Sequence, residues 1–96
     1  MTSKERAYLR GLSNNIDAIF QIGKGGISEN QIVQVSDALE ARELIKISVL
    51  ESAPDSAKDL GNEIANKTNS TLVQVIGNKI TLFRQRKKDS KIVFPK

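Results

Sequence analysis

The sequence contains a turn whose residue types could bind an anion, and it is made of Gly23, Lys24, Gly25 and Gly26. This G-x-x-G turn follows an apolar run at residues 19–22 and precedes an expected helix start at residues 27–31. Glycines lack a Cβ, so they adopt positive φ readily and let another molecule come close. The first N–H groups of a helix lack intrahelical partners and carry partial positive charge. With the Lys24 ammonium at its tip, the turn predicts a phosphate-binding loop. The alternative is a tight strand-to-helix turn in which the glycines only relieve steric strain.

The formal net charge of +4 is distributed unevenly along the 96 residues. Residues 1–26 carry four basic and two acidic side chains, residues 27–78 carry four and eight, and residues 79–96 carry seven and one. An acidic middle between basic ends indicates one positive face, as expected of a nucleic-acid-binding protein. The alternative is that the basic residues are solvated surface groups that keep the protein soluble. The candidate nucleic-acid contacts are Lys4, Arg6 and Arg10 near the N-terminus and Arg84, Arg86, Lys87, Lys88 and Lys91 near the C-terminus.

The composition disfavours an enzyme. The chain has no cysteine and no histidine, so it lacks thiol nucleophiles, thiolate zinc ligands and the most frequent general base. No pair of carboxylates stands in an evident catalytic setting. The missing cysteines fit a reducing compartment, and no long apolar segment predicts a signal peptide or a transmembrane helix. We therefore expect a cytoplasmic, non-catalytic protein without a cofactor or a metal.

Three helices are predicted from their caps and their apolar periodicity. A capping box at residues 2–5 opens the first helix, and a second box at residues 28–31 opens a helix that runs to about Arg42. The third helix is expected to open at Pro54-Asp55 and to close within residues 66–70. The glycine turn therefore stands directly before the second helix.

Four apolar runs predict strands, at residues 18–22, 44–50, 71–76 and 79–84. The second run alternates Ile45, Ile47 and Val49 with polar residues, as in a half-buried strand, which places Lys46 on the solvent side. Gly77-Asn78 suits a two-residue hairpin between the last two runs. The order α-β-α-β-α-β-β predicts one α/β (α+β) domain over residues 1–96, with a mixed sheet whose last strand is antiparallel to its neighbour.

Four motifs, in this order along the chain, resemble the CRM domain family (chloroplast RNA splicing and ribosome maturation), in particular its bacterial single-domain YhbY-type members. They are Leu9–Leu12, Gln21–Ile27, Ala38–Ile47, and Gln74–Gly77 together with Leu82–Arg84. The similarity extends from about Leu9 to Pro95. It implies a four-stranded sheet with three helices, similar to the C-terminal domain of translation initiation factor three. That fold agrees with the predicted order of elements.

The resemblance also implies RNA binding without chemistry. In the family the G-x-x-G loop contacts RNA, a role that carries over to the glycine turn. Bacterial members are associated with precursors of the large ribosomal subunit, and plant relatives act in group II intron splicing. Members often carry a histidine where this chain has Ala41-Arg42, so any role of that histidine does not carry over.

The leading hypothesis is a monomeric protein that binds ribosomal RNA and assists assembly of the large subunit. A protein-interaction adaptor that uses an edge strand or the acidic helices is the alternative, and a small enzyme acting on a phosphorylated metabolite is a weaker third hypothesis. The aromatic residues are too dispersed for a base-stacking platform and are expected in the core, so RNA affinity should depend mainly on phosphate contacts and on salt. These residues are Tyr8, Phe20, Phe83 and Phe94.

Overall fold

The computed structural model describes residues 1–90 and 92–94, so the candidate cation Lys91 and the terminal Pro95 and Lys96 lie outside the described residues. Three helices and four strands follow one another in the predicted order. They are α1 (Ser3–Ser13), β1 (Ala18–Ile22), α2 (Glu29–Arg42), β2 (Leu44–Val49), α3 (Ala57–Thr68), β3 (Thr71–Ile76) and β4 (Lys79–Phe83). None of these helices is long and apolar enough to cross a membrane.

The four strands form one mixed sheet in the order β1-β2-β4-β3. β1 pairs with β2 in parallel, and β4 runs antiparallel to both β2 and β3. After β2, α3 crosses the sheet and leaves one strand position empty next to β2. β3 forms on the far side of that gap, and β4 then fills it between β2 and β3. The two-residue turn Gly77-Asn78 then returns the chain into that gap, with Gly77 at φ 57°. The predicted α+β fold with a mixed sheet is confirmed.

Both predicted capping boxes are present. At α1, the Glu5 N–H donates to Thr2 Oγ1 (3.1 Å) and the Thr2 N–H donates to Glu5 Oε1 (2.9 Å). Hydrogen bonds from the Thr2 backbone and side chain lower the pKa of Glu5 from its ordinary value. Ser28 and Gln31 form the equivalent box at α2. Each box satisfies N–H groups that have no partner within the helix.

The third helix begins later than its expected start at Pro54-Asp55. Its N-cap is Ser56, whose hydroxyl accepts a hydrogen bond from the Asp59 N–H (3.2 Å). Pro54 lies in the preceding connection, where it is next to Gly26. A serine hydroxyl can satisfy a helix N–H and proline cannot, so the cap decides where the helix starts.

The main hydrophobic core lies between the sheet and the helices α2 and α3. The inward side chains of β2, which are Ile45, Ile47 and Val49, are buried there as the alternation predicts. α3 comes close to the sheet at Gly61, where an added Cβ would lie 2.9 Å from Leu72 Cδ1. A larger residue at this position would therefore push α3 away from β3.

The opposite face of the sheet is covered in part by α1 and by the chain after β4. A second apolar cluster forms here from Leu9, Leu44, Val73 and Phe83, with Ile92 and Phe94 packed against it. The Phe94 ring makes edge contacts with Phe83 (5.6 Å) and Tyr8 (6.0 Å), measured between ring centroids. Of the four aromatic residues expected in the core, Phe83 is buried, and Tyr8, Phe20 and Phe94 are half-buried.

Lys46 differs from the expected solvent-facing lysine. It is half-buried, and its Nζ donates to the Ser13 carbonyl at the end of α1 (2.8 Å). Because α1 covers this part of the sheet, the ammonium lies at a helix C-terminus, where the helix dipole favours positive charge. Lys46 therefore joins α1 to β2.

Candidate nucleic-acid interface

The glycine loop, Gly23–Gly26, is a closed turn at the end of β1. The Gly26 N–H donates to the Gly23 carbonyl (2.9 Å), which leaves Lys24 and Gly25 at the exposed tip. Gly26 has φ 67°, in the left-handed region that favours glycine. The loop leads through Ile27 into the cap of α2, as predicted from the sequence.

The connection between β2 and α3, residues 50–56, supports the glycine loop from one side. The Leu50 N–H donates to the Ile22 carbonyl (2.8 Å), and a Cβ on Gly26 would lie 3.3 Å from Pro54 Cγ. A Cβ on Gly23 would meet Leu50 Cδ1 at 3.5 Å, an ordinary contact. The Leu50–Ile22 hydrogen bond and the closeness of Pro54 to Gly26 hold the loop against this second segment of the chain.

Gly25 differs from its neighbours because nothing in the described structure requires a glycine there. An added Cβ would meet no atom within 4 Å, and Gly25 is not among the positive-φ glycines. Gly26, by contrast, has both a conformational and a steric reason within the fold, since its φ is 67° and an added Cβ would lie 3.3 Å from Pro54 Cγ. A side chain at Gly25 would instead obstruct a molecule that approaches the tip from outside.

The tip also offers hydrogen-bond donors. Within residues 1–90 and 92–94, the N–H groups of Lys24 and Gly25 make no hydrogen bond. At the start of α2, by contrast, the capping box occupies the N–H groups of Ser28 and Gln31 (3.1 and 3.2 Å). The N–H groups of Glu29 and Asn30, between these two residues, make no hydrogen bond within the described residues. An anion at the loop would therefore find donors in the tip amides, the Lys24 ammonium and the first turn of α2.

A second cation, which the sequence analysis did not single out, lies at the same end of the sheet. Lys79 begins β4 and pairs with Ser48 near the end of β2, which in turn pairs with Gln21 of β1. Lys79 Nζ contacts Ser48 Oγ at 2.5 Å. An open cleft of about 600 Å³ runs along Gln21, Ser48 and Lys79. Only the strand order places Lys79 there, although its position just after the hairpin turn was visible in the sequence.

Arg6 is directed into the protein. Its NH1 group donates to the carbonyls of Leu72 (2.9 Å) and Val73 (2.7 Å) on β3. β3 is an edge strand and its pairing with β4 is irregular between Leu72 and Gln74, so both of these consecutive carbonyls are accessible to Arg6. Arg6 thus attaches α1 to the sheet edge, while its charge still adds to the potential of this surface. The other candidates on α1, Lys4 and Arg10, are exposed.

Arg84 also bonds within the chain. Its NH1 group donates to Ser36 Oγ (3.0 Å) and to the Thr68 carbonyl (2.8 Å), and its NH2 group donates to the Ser36 carbonyl (2.7 Å). Glu40 Oε2 lies 3.5 Å from NH2. One guanidinium therefore joins α2, the end of α3 and the chain after β4.

The remaining C-terminal candidates lie at the end of the sheet opposite the glycine loop. β4 begins at Lys79 beside that loop and ends at Phe83, and five strand residues span about 17 Å. Lys87 and Lys88 are exposed and Arg86 is half-buried. An open cleft of about 840 Å³ adjoins them. The predicted contacts are thus divided between two ends of the molecule.

Known proteins resemble this chain over almost its whole length. A model of the CRS1/YhbY (CRM) domain family matches residues 1–84. The probable RNA-binding protein YqeI of Bacillus subtilis is 41% identical over 99% of both chains, and a Haemophilus influenzae protein named RNA-binding protein is 27% identical over 100% of this chain and 96% of that one. The solution structure of SAV1595 from Staphylococcus aureus, a candidate RNA-binding protein, shares 50% sequence identity with a TM-score of 0.82 over 99% of each chain. The chain therefore belongs to the CRS1/YhbY (CRM) domain family.

Proposed function

We propose that this protein is a non-catalytic, cytoplasmic RNA-binding protein that associates with precursors of the large ribosomal subunit and assists their assembly. Its relatives from B. subtilis and H. influenzae carry names that describe RNA binding. The observation that carries the proposal is the tip of the glycine loop. There, Gly25 has no steric role in the fold and two backbone N–H groups make no hydrogen bond within the described residues.

A phosphate of the RNA binds at this tip. The N–H groups of Lys24 and Gly25 donate to its oxygens, and the Lys24 ammonium neutralises its charge. Lys79 lies at the same end of the sheet and contacts a neighbouring phosphate, with the exposed Gln21 available for a hydrogen bond to the ribose. The 2′-hydroxyl is the group through which such side chains distinguish RNA from DNA.

The more distant cations contact further phosphates of the same RNA. Arg10 on α1 and Lys87 and Lys88 after β4 are exposed, and about 17 Å of sheet separates the latter from the glycine loop. A single nucleotide cannot contact both ends, whereas a folded RNA can. This separation supports recognition of structured RNA by its shape and its backbone.

Sedimentation of tagged protein through a sucrose gradient tests the proposal, with wild type compared with Gly25→Asp at low and raised salt. Wild type is expected to move with large-subunit precursors at low salt and to leave them at raised salt, because phosphate contacts release counterions. Gly25→Asp is expected to stay at the top of the gradient, since its carboxylate occupies the phosphate position. Asn62→Asp on the exposed side of α3 adds the same charge elsewhere and is expected to behave as wild type.

Wild-type protein that remained at the top in every condition would contradict the role in ribosome assembly. A large complex that survived ribonuclease treatment would favour the protein-interaction adaptor. Unchanged sedimentation of Gly25→Asp would show that the glycine loop is not the phosphate site.

A further inference from the structure

Glu43, the residue between α2 and β2, is fully buried at 0% exposure. Its backbone has φ 66°, a region that residues other than glycine rarely adopt. The Glu43 N–H donates to the Leu39 carbonyl (2.8 Å) at the end of α2, and the Glu43 carbonyl accepts from the Arg84 N–H (2.9 Å). A buried carboxylate in such a conformation persists only where hydrogen bonds compensate for its lost hydration.

Among the described residues after β4, Arg86, Ser90 and Ile92 each donate a hydrogen bond to the carboxylate of Glu43. Its Oε2 accepts from the Arg86 N–H (2.8 Å) and from Ser90 Oγ (2.7 Å), and its Oε1 accepts from the Ile92 N–H (3.0 Å). Beyond these bonds, Ile92 and Phe94 pack against the second apolar cluster. Glu43 therefore holds the chain at Arg86, at Ser90 and at Ile92.

Residues 86–90 form a loop between these attachment points, which we call the basic loop. Lys87 and Lys88 lie on it and are exposed. The loop is held at the Arg86 N–H on one side and at the Ser90 hydroxyl on the other, so the two lysines project from a fixed chain. Ordering a loop costs free energy when a ligand must do it, and a loop that is already ordered binds more tightly.

We infer, on the basis of the proposed function, that Glu43 is a positioning residue for RNA binding, because its buried carboxylate orders the basic loop that presents Lys87 and Lys88 to RNA phosphates. An acidic side chain thus promotes the binding of a polyanion. Charge alone predicts the opposite effect of a Glu43 substitution on RNA affinity, since removing a negative charge near cations strengthens their attraction for phosphate. The sign of the effect separates the two explanations.

Glu43→Gln tests the inference, with Glu40→Gln as its matched control. The amide group of glutamine keeps one acceptor oxygen and places an NH₂ group against a hydrogen-bond donor of the loop. Glu40 carries the same charge beside the same region, 3.5 Å from Arg84, but is 69% exposed. The two variants therefore remove equal charge, and only one of them releases the loop.

Two measurements are made on each variant. Amide hydrogen exchange followed by NMR reports whether the Arg86 and Ile92 N–H groups remain protected. Filter binding to deproteinised large-subunit ribosomal RNA, at several salt concentrations, reports affinity. Glu43→Gln is expected to lose protection at both amides and to bind about three- to tenfold more weakly. Glu40→Gln is expected to keep protection and to bind equally or more tightly.

Non-additivity distinguishes positioning from general destabilisation. In a Lys87→Gln/Lys88→Gln background, Glu43→Gln is expected to cause no further loss of affinity, because the cations that it positions are gone. An equal loss in that background would overturn the inference, as would unchanged affinity of Glu43→Gln after the amides have lost their protection. RNA binding itself would stand in both cases.

Wild type that bound no RNA would overturn the proposed function together with the inference, and the exchange data would still show whether Glu43 holds the loop. If Glu43→Gln does not fold, Ser90→Ala replaces it, since it removes one of the three bonds. It is expected to show the same pattern with a smaller loss of affinity, and unchanged affinity would count against the inference.

Discussion

The two ends of the sheet hold their candidate anion-binding groups in different ways. At the glycine-loop end, the groups belong to a four-residue turn that is closed by its own hydrogen bond from Gly26 to Gly23. At the far end, the basic loop is held by the carboxylate of Glu43, which lies more than forty residues earlier in the chain. Substitutions near the glycine-loop tip can therefore change binding without changing stability, whereas those that release the basic loop change both.

The largest expected effect is at the far end. Glu43→Ala removes the acceptor of the hydrogen bonds from Arg86, Ser90 and Ile92 and leaves these half-buried donors without that partner, so it is expected to lower the free energy of unfolding by about 2–4 kcal/mol. Urea denaturation measures this loss. A decrease below about 0.5 kcal/mol, typical of surface substitutions, would show that the basic loop does not depend on Glu43.

Within the glycine loop, Gly26→Ala and Gly25→Ala form a matched pair. Gly26 has φ 67° and lies against Pro54, so Gly26→Ala is expected to cost about 1–2 kcal/mol of stability. Gly25 has neither constraint, and its substitution is expected to leave stability within about 0.5 kcal/mol of wild type. Thermal unfolding of both variants checks this difference, and equal losses would contradict the distinct roles of the two glycines.

Gly25→Asp extends this comparison to binding. It is expected to weaken affinity for large-subunit ribosomal RNA by about tenfold or more, equivalent to about 1.4 kcal/mol, while the melting temperature stays near that of wild type. The reason is repulsion between the new carboxylate and the phosphate at the tip. If Gly25→Asp lowered the melting temperature as well as the affinity, substitutions at the glycine-loop tip would change stability and binding together, as those that release the basic loop do.

The smallest expected effect is that of Lys87→Gln/Lys88→Gln. If each lysine contacts one phosphate, the slope of log K against log salt is expected to become shallower by about 1.4–1.8. Affinity at moderate salt should fall about three- to tenfold, at least as far as in Glu43→Gln, and stability should not change. Filter binding across a salt series gives the slope, and a slope equal to that of wild type would remove these two lysines from the interface.

Local patterns were sufficient for most of the fold. Both capping boxes, the alternation of Ile45 and Ile47 and the Gly77-Asn78 turn predicted helix starts, an inward face and a hairpin that the structure confirms. The start of α3 was misplaced at Pro54-Asp55 because the proline belongs to the connection that supports the glycine loop. Such a contact between distant segments leaves no periodic pattern in the sequence.

The candidate interface was harder to predict than the fold. Arg6 and Arg84 were grouped with the exposed cations, but each bonds carbonyls from other elements. Lys79 was not singled out, although the strand order places it beside Ser48 and Gln21. Charge can be counted along a sequence, but the direction of a guanidinium depends on which carbonyls the fold leaves unpaired nearby.

The sequence by itself determined the order of elements, the glycine turn and the uneven charge, because caps, turns and side-chain periodicity depend on residues a few positions apart. The tertiary structure alone decided that the two groups of candidate contacts lie at opposite ends of the sheet. It also decided that Glu43 is buried beneath the basic loop. Both facts depend on strand pairing and long-range hydrogen bonds, whose partners are set by how the whole chain packs.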